Sequence, residues 1–232
     1  MSALTYRQRR GQLETYFDRT AAAAWSRLTS EAPVGRIRAT VRAGRDAMRR
    51  TLLDWLPADL RGQRLLDAGC GTGALAVEAA RRGAHVVAVD LSRTLIELGR
   101  QRAPHDLRGS LEFRVGDMLD PDLQSFDYVV AMDSLIHYRA RDAVQVLACL
   151  SARTRRAVLF TFAPRTLALS LMHAVGRLLP KNDRAPAIEP IAQDKMARLL
   201  IFEPGLDAWT IGRSRRIASG FYTSHAQELL RE

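Results

Sequence analysis

Three glycines at alternate positions, Gly69, Gly71 and Gly73, follow Asp67 and the short apolar pair Leu65 and Leu66. Glycine lets the backbone take positive φ and lets a ligand approach where a Cβ would otherwise stand. A strand running into such a turn and then into a helix, here Ala74 to Arg82, brings backbone N–H groups and the positive end of the helix to the crevice of a parallel sheet. That chemistry suits a nucleotide-like cofactor. Two further carboxylates recur after apolar runs, Asp90 after Ala84 to Val89 and Asp117 after Leu111 to Val115. As G-x-G-x-x-A, Gly69 to Ala74 matches the dinucleotide fingerprint, with Asp90 on a ribose. With Asp67 included, the stretch is D-x-G-x-G-x-G. Asp90 serves a ribose under both readings, so loop and ribose acid alone leave the cofactor open.

The elements that must hold these groups alternate from Gln63 onward, which predicts a parallel sheet. Strands are expected at about 64–68, 84–90, 111–115, 126–132 and 157–162. Helices are expected at 74–82, from Ser92 as N-cap to 103, and at 141–152, with Gly83 closing the first. Ahead of the sheet, Thr5 to Trp25 is expected to be helical, with Tyr6, Leu13, Tyr16 and Phe17 on one face. A second helix, Ile37 to Trp55, turns Ile37, Val41, Met48, Leu52 and Leu53 inward and carries Arg36, Arg38, Arg42, Arg45, Arg49 and Arg50 on its polar side. After strand five come an apolar helix (Leu167 to Leu179), a polar loop (Pro180 to Pro190), a helix near 191–201 and a hairpin of Ala208–Ser214 and Gly220–Ser224.

The 232 residues suit one α/β domain with a modest insertion. Four regions are expected: a helical arm at 1–60, a cofactor-binding core at 61–163, a substrate-side helical insertion at 164–206, and a β-hairpin at 207–232 that completes the sheet. The net charge is +10, and all but two of the 35 basic residues (Lys181 and Lys195) are arginine. Arginine grips carboxylates bidentately, so an anionic substrate fits; an arginine-rich codon usage fits as well. Charge alone would admit nucleic acid, but no recognition helix, zinc-finger spacing or aromatic RNA-binding pattern accompanies it. Cys70 and Cys149 do not make a disulfide framework, which fits a reducing compartment. Met1 to Arg10 lacks the apolar core of a signal peptide. Thr166 to Pro180 is too short to span a membrane and carries His173 and Arg177.

D-x-G-x-G-x-G resembles the first motif of class I S-adenosylmethionine (SAM)-dependent methyltransferases. Val115-Gly116-Asp117-Met118 resembles that superfamily's position where an acid meets the adenine amine, and Phe126 to Asp133 its fourth strand. The resemblance implies a Rossmann-like seven-stranded, mostly parallel sheet with an N-terminal helical lid and an insertion after strand five. It implies SAM as cofactor and S-adenosylhomocysteine (SAH) as product. The cofactor-binding residues it implies are Asp67, Gly69, Gly71, Gly73, Asp90, Leu91, Asp117, Met118 and Met132. The absence of an Asn/Asp-Pro-Pro-Tyr motif argues against an amino-group methylase of nucleic-acid bases.

More specific segments are Tyr16-Phe17-Asp18-Arg19-Thr20 with Trp25, Asp133-Ser134-Leu135-Ile136-His137-Tyr138, Phe160 to Thr166, and Gly220-Phe221-Tyr222. Together they resemble the magnesium-protoporphyrin IX O-methyltransferase family. The resemblance implies methylation of one propionate of magnesium-protoporphyrin IX to a monomethyl ester in (bacterio)chlorophyll biosynthesis. No protein-bound metal is expected, because the magnesium belongs to the substrate. His137 and Tyr16 are the implied catalytic residues. His137 would hydrogen-bond the carboxylate, orient it or contact the magnesium; Tyr16 would close over the cofactor as a lid or serve as packing. Arg165, Arg42 and Arg45 are the candidate propionate ligands, with Tyr138 on the substrate side or, like Met132, packing or stacking on adenine. Transient contact with magnesium chelatase is implied, no nucleic-acid partner is expected, and the expected location is cytoplasmic with peripheral contact to the photosynthetic membrane. The competing readings are a methyltransferase of a quinone or lipid, a non-catalytic SAM-fold RNA-binding module, and a nicotinamide dehydrogenase.

Overall fold

The computed structural model describes residues 3–16, 18, 35–165 and 188–232. Phe17, Arg19, Thr20, Trp25, Thr166, the expected apolar helix Leu167 to Leu179 and the stretch from Lys181 to Ala187 lie outside the described residues. Helices α1 (Ala3–Thr15) and α2 (Arg36–Trp55) precede the sheet. Then follow β1 (Arg64–Ala68), α3 (Ala74–Arg81), β2 (His85–Asp90), α4 (Arg93–Arg102), β3 (Ser110–Val115) and β4 (Phe126–Ala131). A short 3-10 turn (Leu135–His137), α5 (Ala140–Ala152), β5 (Thr154–Phe162), α6 (Gln193–Ile201), β6 (Trp209–Ser219) and β7 (Tyr222–Arg231) complete the described chain.

The seven strands form one sheet in the order β3-β2-β1-β4-β5-β7-β6. The first five pair in parallel, and β7 runs antiparallel to both β5 and β6. Side chains of successive strand residues point to opposite faces, and the core divides accordingly. Leu66, Val87, Val129 and Phe160 pack with α5 and α6 on one face. Leu65, Val86, Val130 and Leu159 pack with α2 and α3 on the other. The sheet order reverses between β1 and β4, so the crevice opens at the carboxyl ends of these two strands, where open α/β sheets bind ligands.

The hairpin differs from expectation. Its strands are longer than Ala208–Ser214 and Gly220–Ser224, and the turn falls at Gly220 and Phe221. Apolar periodicity missed this because β7 buries polar groups. Its Glu228 is 1% exposed and bonded to Arg213 of β6, and Gln227 and His225 are also buried. β5 likewise begins at Thr154, ahead of the expected 157, because exposed Arg155 and Arg156 mask its start.

Candidate active site

Gly69 leaves β1 with φ +81°, and a Cβ there would lie 2.4 Å from Ser134 Cβ, so only glycine lets the loop abut the end of β4. Gly71, at φ +56°, has nothing within 4 Å of its missing Cβ and turns bare backbone to the crevice. Asp90, at the end of β2, fixes this loop. Its Oδ2 accepts from Gly71 N (2.8 Å) and its Oδ1 from Ser92 N (2.9 Å). Burial pushes the Asp90 carboxyl upward, with these backbone bonds opposing the shift. Ser92 Oγ caps α4 by accepting from Leu95 N, as expected, and donates to Asp18 Oδ1.

A cleft of about 800 Å³ opens over this loop. One end is bounded by Asp90, Leu91, Leu95, Asp117 and Met118, and the other by Gly69, Arg45, Asp133 and Ser134. Met132, Ile136, His137 and Tyr138 form the wall beyond β4. Helix α1 adds Tyr6 and Leu13 to the lining. Tyr6 Oη donates to Asp117 Oδ1 (2.6 Å), Arg10 Nη1 to Asp117 Oδ2 (2.9 Å) and Leu119 N to Asp117 Oδ1 (2.9 Å). The Tyr6 ring stacks on Tyr138 at 5.5 Å between centroids. Burial raises both phenols, Tyr138 to about 12 and Tyr6 further, so both remain hydroxyl donors near neutral pH.

The structure therefore brings together Gly69, Gly71, Asp90, Leu91, Asp117, Met118, Met132, Arg45, His137 and Tyr138 from the expected set. Others lie elsewhere. Asp67 is buried beneath the loop, where its carboxylate accepts from Ala76 N and braces the start of α3. Burial, aided by the nearby Asp90 charge, raises its pKa to about 7. Gly73 begins α3 against the Phe113 ring. Tyr16 follows the end of α1, half-buried and outside the cleft lining, so the tyrosine that α1 sets over the cleft is Tyr6. Arg42, on α2, is also outside the lining, and Arg165 is an exposed residue whose N–H donates to Ile191 O.

Two features escaped sequence reasoning. One is the docking of Tyr6 and Arg10 on Asp117. The other is Asp133, a non-glycine residue at φ +55°, whose 6%-exposed carboxylate accepts from Arg45 Nη1 (2.8 Å), Tyr222 Oη (3.1 Å), Ser224 Oγ (3.1 Å) and Thr161 Oγ1 (3.2 Å). An acid two residues past the end of β4 and a glycine inside a helix, Gly44, were the available signals.

The donor set fits SAM. Two carboxylates, Asp90 and Asp117, line one end of the cleft, and bare glycine backbone lies between them and Ser134. Ser134 Oγ is buried with no hydrogen-bond partner among the described residues, a polar atom that suits the amino-acid end of such a cofactor. Among the described residues no cluster of three or more His, Cys, Asp or Glu side chains is arranged for a metal ion. No described helix is long and apolar enough to cross a membrane.

Fold and cleft together define a class I SAM-dependent methyltransferase, and residues 65–156 match a methyltransferase-domain family. Residues 131–231 match the family described as the magnesium-protoporphyrin IX methyltransferase C-terminus. The magnesium-protoporphyrin O-methyltransferase of Rhodobacter capsulatus is 49% identical, over 96% of this chain and 97% of its own length. A crystal structure of magnesium protoporphyrin IX methyltransferase from Synechocystis with bound SAH superposes with a TM-score of 0.83 at 26% identity, covering 96% of this chain and 99% of that one. A more distant relative, the ubiquinone biosynthesis O-methyltransferase of Neisseria meningitidis, is 32% identical over 71% of this chain and 73% of its own length. The chain belongs to the magnesium-protoporphyrin O-methyltransferase family.

Proposed function

We propose that this protein transfers the methyl group of SAM to a propionate carboxylate of magnesium-protoporphyrin IX, giving the monomethyl ester, in (bacterio)chlorophyll biosynthesis. The observation that carries this is near-full-length similarity at 49% identity to an enzyme named for that substrate. When bound, SAM supplies a methyl group on a positively charged sulfur, an already activated donor. The chain's task is then binding, alignment and exclusion of water. A propionate resembles a glutamate side chain and is ionised near neutral pH, so no strong base is needed.

The roles of individual residues follow from their places in the cleft. Asp90 and Asp117 hold the ribose and adenine. His137, 8% exposed on the turn after β4, and Tyr138 stand on the wall where the acceptor enters. His137 orients the propionate. The stacked Tyr6–Tyr138 pair and Leu13 roof the cleft against water. Contact with magnesium chelatase, and with the photosynthetic membrane from the cytoplasmic side, are further proposals. They rest on the family resemblance and on the apolar segment Leu167 to Leu179 outside the described residues.

The test is turnover. Purified protein with SAM and magnesium-protoporphyrin IX should yield SAH and a porphyrin monomethyl ester in equal amounts. The name of the Neisseria relative suggests a ubiquinone precursor as the comparison substrate; methylation of that compound with no reaction on the porphyrin overturns the assignment.

A further inference from the structure

Arg45 is one of three arginines, with Arg42 and Arg165, that the family resemblance offers to the substrate's propionate. The geometry points to a different anion. We propose that Asp133 is a positioning residue that holds Arg45 to receive the α-carboxylate at the amino-acid end of SAM. This rests on the cleft being a SAM cleft.

Arg45 and Asp133 lie at the Gly69 end of the cleft, opposite the Asp117 end. The missing Cβ of Gly69 faces Ser134, the residue after Asp133, so the pair stands beside the first glycine of the loop. With the adenine at Asp117 and the ribose at Asp90, the part of the cofactor that reaches Gly69 is its methionine portion. That portion ends in an ammonium and a carboxylate. The unpartnered buried Oγ of Ser134 marks the same spot as polar.

Asp133 is built to orient a guanidinium, not to bind a ligand directly. Its carboxylate offers about four acceptor sites, and four donors come from α2, β5 and β7: Arg45, Thr161, Tyr222 and Ser224. Its own N–H donates to Thr161 Oγ1 at 2.7 Å. The left-handed backbone at φ +55° aims the carboxylate at these partners, a strain tolerated where surroundings over-determine it. A guanidinium is a planar fork, so fixing Nη1 fixes the plane of the whole group. α2 even gives up a side chain for the arrangement. A Cβ on Gly44 would lie 2.5 Å from Tyr222 Cδ1, so a mid-helix glycine admits the Tyr222 ring to Asp133.

The experiment compares titrations of SAH and 5′-methylthioadenosine, which lacks the amino-acid end, against wild type, Asp133→Asn, Arg45→Gln and Tyr222→Phe. Asparagine tolerates the left-handed backbone, and Tyr222→Phe keeps the ring against Gly44, so these are the mildest changes to the fold. Thermal midpoints report this directly. Asp133→Asn and Arg45→Gln should weaken SAH by about tenfold or more, the scale of a charge-assisted bond, and Tyr222→Phe by less. Methylthioadenosine should change less than about twofold in all three. Equal weakening of both ligands overturns the proposal, because the network then only supports the cleft wall. Unchanged SAH affinity with a raised KM for the porphyrin overturns it too, returning Arg45 to the propionate. Wild type that binds neither ligand would refute the SAM cleft itself, a different failure.

Discussion

Replacing Asp90 by asparagine keeps the shape of the side chain and removes one acceptor atom. In the structure both carboxylate oxygens already accept backbone N–H groups, Gly71 at 2.8 Å and Ser92 at 2.9 Å. Whichever way the asparagine amide turns, its NH2 faces one of those donors. The variant therefore loses one of these two backbone bonds, to Gly71 of the glycine loop or to Ser92 at the start of α4, and has only one oxygen left to share with a ribose. A hydrogen bond to a charged group is worth about 1.5–3 kcal/mol. Loss of one ribose contact thus predicts a drop in SAH affinity of roughly 10- to 150-fold. Isothermal titration measures this, with urea denaturation as a control for the fold.

The pH dependence provides a second reading. Burial raises the Asp90 carboxyl above its ordinary value. Bound hydroxyls favour the ionised form, so wild-type SAH affinity should fall as pH drops through the raised value, while Asp90→Asn stays flat. An Asp90→Asn protein of unchanged stability that binds SAH within about twofold of wild type would refute the ribose role.

His137→Gln should lower kcat by about tenfold or more through lost alignment, with SAH affinity unchanged in titration; a change confined to SAH binding would move His137 to the cofactor. Tyr6→Phe keeps the ring on Tyr138 but removes its 2.6 Å bond to Asp117. Hydrogen exchange in α1 should accelerate by roughly 10- to 150-fold, and unchanged exchange would mean that the hydroxyl does not hold the helix. Asp67 has a folded-state pKa raised to about 7 from the ordinary 3.8, so its contribution to stability is full below about 4 and is lost as pH rises through about 7. Asp67→Asn removes that slope, at about 1.4 kcal/mol per pKa unit. Parallel pH–stability curves for the two proteins in urea would exclude the shift.

Local pattern revealed the glycine loop, the acids after β2 and β3, and the histidine after β4, because each sits at a strand end whose apolar run announces it. What pattern could not show was set by distant partners. Helical spacing puts Tyr6 and Tyr16 alike on one face of the expected first helix, and only docking on Asp117, which is 111 residues from Tyr6, selects Tyr6. Asp133 stood in a noted segment without a role, since its partners come from α2, β5 and β7. Among Arg42, Arg45 and Arg165, sequence offered no preference; packing placed Arg45 in the cleft. Glu228 and Gln227 made β7 look unlike a buried strand, yet β6 joins the sheet only through it.

That placement of β7 bears on the order of folding. Tyr222 and Ser224 enter the clamp around Asp133 only when β7 has slotted against β5, a pairing such as Phe162 with His225 that spans a long stretch of chain. Closing a long stretch of chain costs entropy before the contacts repay it. The expected outcome is that the Gly69 end of the cleft is completed late in folding. Ligand binding added as a probe during refolding should report that late step and not the earlier assembly of β1, β2 and their helices.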